Sequence, residues 1–162
     1  MQESDNMVKK AYQVKVRDEK KVAKAIAKNQ QVSTKYATEM CREIKAKKLS
    51  KVKKTLQRII DKQEFLPLRT YNRKVAHRKG ESKSGVKSGR YPKLACNAFI
   101  KLLESVQANA DFKGLDSENL LIAHAFASQG FRRYSFQSKG RISGKRRRRK
   151  STHIEVIVRE AK

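Results

Sequence analysis

The chain contains no tryptophan, only two prolines and two cysteines, and few acids: 15 Asp and Glu stand against 41 Lys and Arg. Each scarcity narrows the field. Cys41 and Cys96 lie far apart and outside any metal-ligand spacing, so neither a zinc site nor a disulfide framework is expected, and both thiols are assigned to apolar helix faces. Without Trp, the basic amphipathic helix of a membrane-surface protein lacks its usual apolar anchor. No apolar run approaches the roughly 18–20 residues of a spanning helix, and the opening MQESDNMVKK has no signal-peptide core. The expected location is the cytosol, without membrane contact, or the nucleus if the block KRRRRK (Lys145 to Lys150) is read as an import address. The shortage of acids leaves a formal charge of +26 on 162 residues. A compact monomer tolerates such self-repulsion poorly, and nucleic acid, whose phosphates release counterions on binding, is the expected partner.

What is present organises around one modest core, because 38% hydrophobic content in a chain of this length suits a single small domain. Residues 1–21 are polar and read as an N-terminal extension, disordered without RNA, with one alternating patch at YQVKV. Residues 22–162 form the domain. Val22 to Val32 alternates small apolar and basic residues as a strand does, with Lys24 and Lys28 on one face, although its alanines suit a helix equally. Ser33 offers an N-cap to a helix carrying Ala37, Met40, Cys41 and Ile44, and Ser50 offers another to a helix carrying Val52, Leu56, Ile59 and Ile60. From 63 to 91 periodicity stops. The segment Arg69 to Lys93 holds nine Lys and Arg and one acid, with Phe65, Tyr71 and Tyr91 in or beside it, a mixture that suits phosphate binding and base stacking.

Pro92 marks the first position of a third helix, in which Leu94, Ala95, Ala98, Phe99, Leu102, Leu103, Val106 and Ala110 repeat at helical spacing. Gly114 ends it, and Leu115 is placed to pack back over the last turn. LLIAHAFAS from Leu120 and HIEVIVRE from His153 read as strands, the second with Ile154, Val156 and Val158 on one face. Between them, Phe131 to Lys150 carries ten cations and no acid. If the strands pair antiparallel, residues 131–152 form a long hairpin turning near Lys139-Gly140, each arm reaching about 30 Å at roughly 3.3 Å per residue. Such an arm buries too little to hold itself in water. Surrounding phosphate would offset its mutual repulsion.

These residues resemble the large-subunit ribosomal protein family called L-twenty-two in bacteria and L-seventeen in eukaryotes, in its archaeal and eukaryotic branch. The resemblance runs from about Lys24 to Glu160. It is carried by GRYPKLACNAFIKLLESVQANADFKGLD, by LPLRTYN and HRKG before it, and by KSTHIEVIV after it. It implies an α+β fold, a three-stranded antiparallel sheet packed with three helices and drawn out into a long protruding β-hairpin. It also implies a structural constituent of the large ribosomal subunit that binds large-subunit rRNA, supports assembly, and lines the polypeptide exit tunnel with its hairpin. Neighbouring large-subunit proteins near the tunnel exit and the nascent polypeptide are the other implied partners. The location it implies is the ribosome in the cytoplasm, with transient nuclear or nucleolar passage in a eukaryote.

Carried onto this chain, the RNA-binding positions are Ser33, Lys35 and Tyr36 at the first helix, then Arg69, Tyr71, Arg73, Lys74, His77, Arg78, Lys79, Arg90, Tyr91 and Lys93 on the basic loop. Arg132, Arg133, Lys139 and Arg141 follow on the outgoing arm and tip, and Lys145, Arg146, Arg147, Arg148, Arg149, Lys150, Thr152 and His153 on the returning arm. The tunnel-facing tip is Tyr134, Ser135, Phe136, Gln137, Ser138, Lys139, Gly140 and Arg141. Gln137-Ser138 replaces an Arg-Ala found in many members, and KRRRRK is denser than their mixture of cations and neutral residues.

No cofactor, metal or catalytic group is expected. His77, His124 and His153 are scattered, Ser151, His153 and Glu155 share one strand face without triad geometry, and Gly80, Gly85 and Gly89 lack a phosphate-loop pattern. The competing function is a general basic, chromatin-like nucleic-acid-binding protein that uses the hairpin as a clamp. Three tyrosines among the cations, Tyr71, Tyr91 and Tyr134, favour irregular RNA over duplex DNA.

Overall fold

A computed structural model describes residues 12–14, 16, 19–79 and 84–161. Strand β1 (Val22–Gln30) leads into helices α1 (Thr34–Ile44) and α2 (Leu49–Ile60). Two short strands, β2 (Leu66–Pro67) and β3 (Gly89–Arg90), bracket the basic loop, and helix α3 (Lys93–Phe112) precedes the long strands β4 (Leu120–Phe136) and β5 (Arg146–Glu160). The main sheet runs β1-β5-β4 and is antiparallel throughout, so β5 is its central strand. The result is the expected α+β arrangement of three helices on a three-stranded sheet.

Alternation along β5 sets the layers. Ile154, Val156 and Val158 are fully buried and meet Ala27, Ala25 and Ala23 of β1 on one side and Ala127, Ala125 and Ile122 of β4 on the other. Alanine on β1 keeps that edge thin, and α3 packs over it and brings Phe99, Leu103 and Val106 into the core. Small opposite large is how a core of this size closes without voids. The predicted stripes of α1 and α2 are buried, except that Ile60 is only partly so. Cys41 and Cys96 are buried thiols, pushed up to about 12 chiefly by that burial.

The α3 terminus is a Schellman stop. Gly114 takes φ +71, its N–H donates to Asp111 O at 3.0 Å, and Leu115 N–H reaches Ala110 O at 3.0 Å. Leu115 then packs on the core, as its position in sequence predicts.

Two boundaries differ from expectation. Pro92 is the N-cap of α3 rather than its first helical residue, because the preceding turn closes with Lys93 N–H donating to Tyr91 O at 2.9 Å. Leu94 is therefore turned to solvent at 76% exposure instead of joining the stripe. Helix α2 starts at Leu49 with Lys48 as its cap, not at Ser50. The linker before it is stitched to β4, with Ala46 N–H donating to Ile122 O and Ile122 N–H to Lys47 O, and this brings Leu49 into the core one residue early.

The outer face of the sheet is also covered at one place. Gln13 N–H donates to both Glu155 carboxylate oxygens at 3.2 Å, and His124 Nε2 lies 3.0 Å from Glu155 Oε1. Glu155 and Ile157 are buried there. Tyr12 to Val14 thus belong to the folded body, while most of the N-terminal extension lies outside the described residues.

Candidate nucleic-acid interface

The basic loop is held at both ends. Phe65, Leu66 and Leu68 are buried at its entry, β2 pairs with β3 through Leu66↔Arg90 and Pro67↔Gly89, and a Cβ on Gly89 would strike the Phe65 ring. Phe65 is therefore a core residue and not a stacking ring. The exit of the loop is closed by the His77↔Ser88 bridge.

Glu39 of α1 fixes the bend between these ends. Its carboxylate, 2% exposed, accepts the backbone N–H groups of Arg69, Thr70 and Tyr71 at 3.1, 2.7 and 2.8 Å. Burial pushes the Glu39 carboxyl up, but the donations from Tyr71, Thr70 and Arg69, with Arg42 nearby, outweigh it and hold the group below its ordinary value of 4.5. Three adjacent amides aimed at one carboxylate define a turn as firmly as a short ladder would. Sequence periodicity could not find Glu39, which reads as an ordinary polar residue of the helix.

The cations of the loop divide by task. Arg69 pairs with Glu43 at 2.9 Å, Arg78 Nε donates to Gly89 O at 3.2 Å, and Arg90 donates to Gly89 O and Ala76 O. These three hold the loop together. The Arg78 guanidinium carbon also lies 5.4 Å from the Tyr91 ring centroid. Arg73, Lys74, His77, Lys79 and Lys93 are exposed.

Strands β4 and β5 stay paired past the core, from Arg132↔Lys150 to Phe136↔Arg146. Alternation along β5 places Arg146, Arg148 and Lys150 on the same face as Thr152 and the buried Ile154, while Arg147 and Arg149 share the opposite face with Ser151 and His153. The apolar stripe thus becomes a cationic stripe without a change of face. Arg146 sits 3.6 Å from the Tyr134 ring centroid, a diagonal cross-strand cation–π contact. Phe131, Phe136 and Ile142 are exposed at 66%, 70% and 54%.

At the tip, Gln137 organises the turn. Its side-chain amide donates to Lys139 O at 3.0 Å, its Oε1 accepts from Arg147, and its backbone binds Lys145 O and Gly144 N–H. Gly140 and Gly144 supply φ of +92 and +80. Lys139, Arg141 and Lys145 are exposed around it.

A polar collar joins arm to body. Both ladders slip register here, between Ala27 and Gln30 and between Gln129 and Arg132. Asn29, at φ 53, fills the gap: its Oδ1 accepts Phe131 N–H at 3.0 Å and lies 3.1 Å from Ser151 Oγ, and its N–H donates to His153 Nδ1 at 3.0 Å. A Cβ on Gly130 would come within 2.7 Å of both Asn29 Oδ1 and Ser151 Oγ. Thr152, expected among the RNA contacts, is fully buried, its hydroxyl donating to Val32 O at 2.7 Å and lying 3.0 Å from Thr34 Oγ1. It holds the arm and offers no surface to a ligand. His153 is likewise engaged through Nδ1, so Ser151, His153 and Glu155 do not act as a catalytic set. Among the described residues no group of three or more His, Cys, Asp or Glu is placed to hold a metal, and no helix is long and apolar enough to cross a membrane.

Three segments distant in sequence meet beside the collar. An open groove of about 500 Å³ is lined by Ser33 and Lys35 at the start of α1, Tyr71 of the loop, and Arg148 and Lys150 of β5. The first turn of α1 carries no acid, and Ser33 makes no side-chain cap. Its leading N–H groups, which no helix can satisfy internally, point outward and add positive potential. Tyr36 instead packs against the core.

Comparison with known proteins agrees with this geometry. The profile of the family described as "Ribosomal protein L22p/L17e" matches residues 25–159. "Large ribosomal subunit protein uL22" of Ignicoccus hospitalis is 43% identical over 143 residues, covering 86% of this chain and 89% of the relative. The protein of the same name from Archaeoglobus fulgidus is 37% identical, covering 94% and 97%, and that of Methanococcus vannielii 36%, covering 95% and 99%. With its fold and nearly its whole length accounted for, this chain belongs to the ribosomal protein L22p/L17e family.

Proposed function

We propose that this protein is a structural constituent of the large ribosomal subunit, bound to its rRNA through the start of α1, the basic loop and the β5 arm, with no catalytic role. The observation that carries the reading is the convergence of Lys35, Tyr71, Arg148 and Lys150, from three separate segments, on one groove. Family membership fits it, since the relatives bear the name of a large-subunit protein. The β4–β5 tip, with Phe136 and Ile142 exposed, extends through the RNA to the wall of the polypeptide exit tunnel, where it meets the nascent chain. Neighbouring large-subunit proteins contact the body. An import role for KRRRRK draws no support from the relatives, which are archaeal.

The test compares binding of a large-subunit rRNA fragment and of duplex DNA at matched salt. A site of about ten phosphates predicts a log–log salt slope near −7 to −9 on the RNA, with clearly weaker DNA binding. Equal affinity for both would return the protein to the class of general nucleic-acid clamps.

A further inference from the structure

We infer that the groove between α1 and the β5 arm is a receptor for one unpaired nucleotide, its base on the Tyr71 ring and its phosphates on Lys35, Arg148 and Lys150. The inference rests on the RNA-binding reading and makes it specific about which form of RNA is held.

The Tyr71 side chain is 39% exposed although its backbone N–H is fixed by Glu39 at 2.8 Å. The ring is thus presented from a rigid bend rather than from a mobile loop. Lys35 Nζ lies over the ring, 6.0 Å from its centroid, so a phosphate-binding cation stands at one face of the ring and the base is assigned to the other. Arg148 and Lys150 line the other wall, both on the inward face of a strand that the collar holds by Thr152. At about 500 Å³ the space falls within the range of small-ligand pockets, roughly 300–1,000 Å³.

A duplex keeps its bases stacked inward and presents only backbone to such a groove. An extruded base adds its flat face to the tyrosine, which is the usual means of holding single-stranded RNA. The uncharged side chains predict what the site ignores. Thr34 Oγ1 is taken up by Thr152, Thr38 Oγ1 donates to Thr34 O at 2.9 Å, and Gln129 Oε1 accepts from Arg132 at 2.9 Å. With these groups turned to partners within the protein, Gln31 and Ser33, which also line the groove, are the uncharged side chains left to meet a base edge. The site recognises an unpaired nucleotide by stacking and charge, with base preference left to Gln31 and Ser33.

The full chain is titrated with an RNA hairpin carrying one bulged 2-aminopurine and with the same hairpin fully paired. Wild type should bind the bulged form roughly tenfold more tightly and quench the 2-aminopurine. Tyr71→Ala should abolish both the preference and the quench, lowering affinity for the bulged hairpin far more than for the paired one; Tyr71→Phe should retain them. Lys150→Ser should weaken both RNAs alike. An unchanged thermal midpoint establishes that the Tyr71 variants are folded. A wild type without bulge preference, or a Tyr71→Ala loss shared equally by both hairpins, overturns the nucleotide site. Neither result disturbs the ribosomal reading, which fails separately if duplex DNA competes equally with large-subunit rRNA.

Discussion

Replacing Arg146 to Arg149 with serine should make the salt slope of rRNA binding shallower by about 3 log–log units, because up to four phosphate contacts, each worth roughly 0.7–0.9, are lost. Affinity at moderate salt falls steeply with it. The fold should survive. All four side chains are exposed, their strand segment pairs with Arg133 to Phe136 of β4, Arg147 reaches Gln137 at the tip and not the body, and the apolar stripe begins at Ile154. Circular dichroism of the variant should therefore match wild type. An unchanged slope would mean that the block touches no phosphate, and a lost helical signal would mean that it supports the body.

Glu39→Gln should act in the opposite way, on the body first and on RNA second. The amide replaces a buried carboxylate that accepts three backbone N–H groups, at an expected cost of about 3 kcal/mol in unfolding free energy. The effect depends on pH with a defined sign. The folded carboxyl sits below its ordinary 4.5, so its contribution is complete above that value. It drains away as pH falls through the folded pKa. Urea denaturation should show wild type clearly more stable than Glu39→Gln at pH 7, with the gap narrowing once pH falls below 4.5. A gap that persists undiminished into acid would show that the ionised carboxylate is not what holds Arg69 to Tyr71. Since Tyr71 is then no longer fixed, the bulge preference should weaken in this variant too.

The parts of the fold legible in the sequence are those written in periodicity. The stripes of α1, α2 and α3, apart from Ile60 and the exposed Leu94, the Gly114 stop and the inward set Ile154, Val156 and Val158 follow from spacing alone, because burial repeats with the element. Helix starts were less legible. Ser50 has the chemistry of a cap, yet the stitching of Ala46 and Lys47 to Ile122 begins the helix at Leu49, and no local signal encodes a partner 75 residues away. The interface was legible as charge but not as division of labour. Arg69, Arg78 and Arg90 look like their exposed neighbours in sequence, and only the fold shows that they hold carbonyls and Glu43.

The collar was hidden for a similar reason. Asn29, Gly130 and Ser151 carry no motif, and their meeting depends on two register slips in strands that are distant in the chain. Thr152 read as one more polar residue of the arm, whereas its parity with Ile154 places it at the end of the core. In sequence the block KRRRRK reads as the returning strand of the hairpin. It is the continuation of that strand's two faces, with Arg148 and Lys150 in the groove and Arg147 reaching the tip through Gln137.

Co-sedimentation of the full chain with purified large subunits through a high-salt cushion tests the central claim most directly. A protein embedded by its β5 arm and loop should stay with the large subunit at salt that strips exposed basic proteins, in a stoichiometry near one. Release into the supernatant at the same salt as a nonspecific basic protein, or equal retention on small subunits, would contradict it.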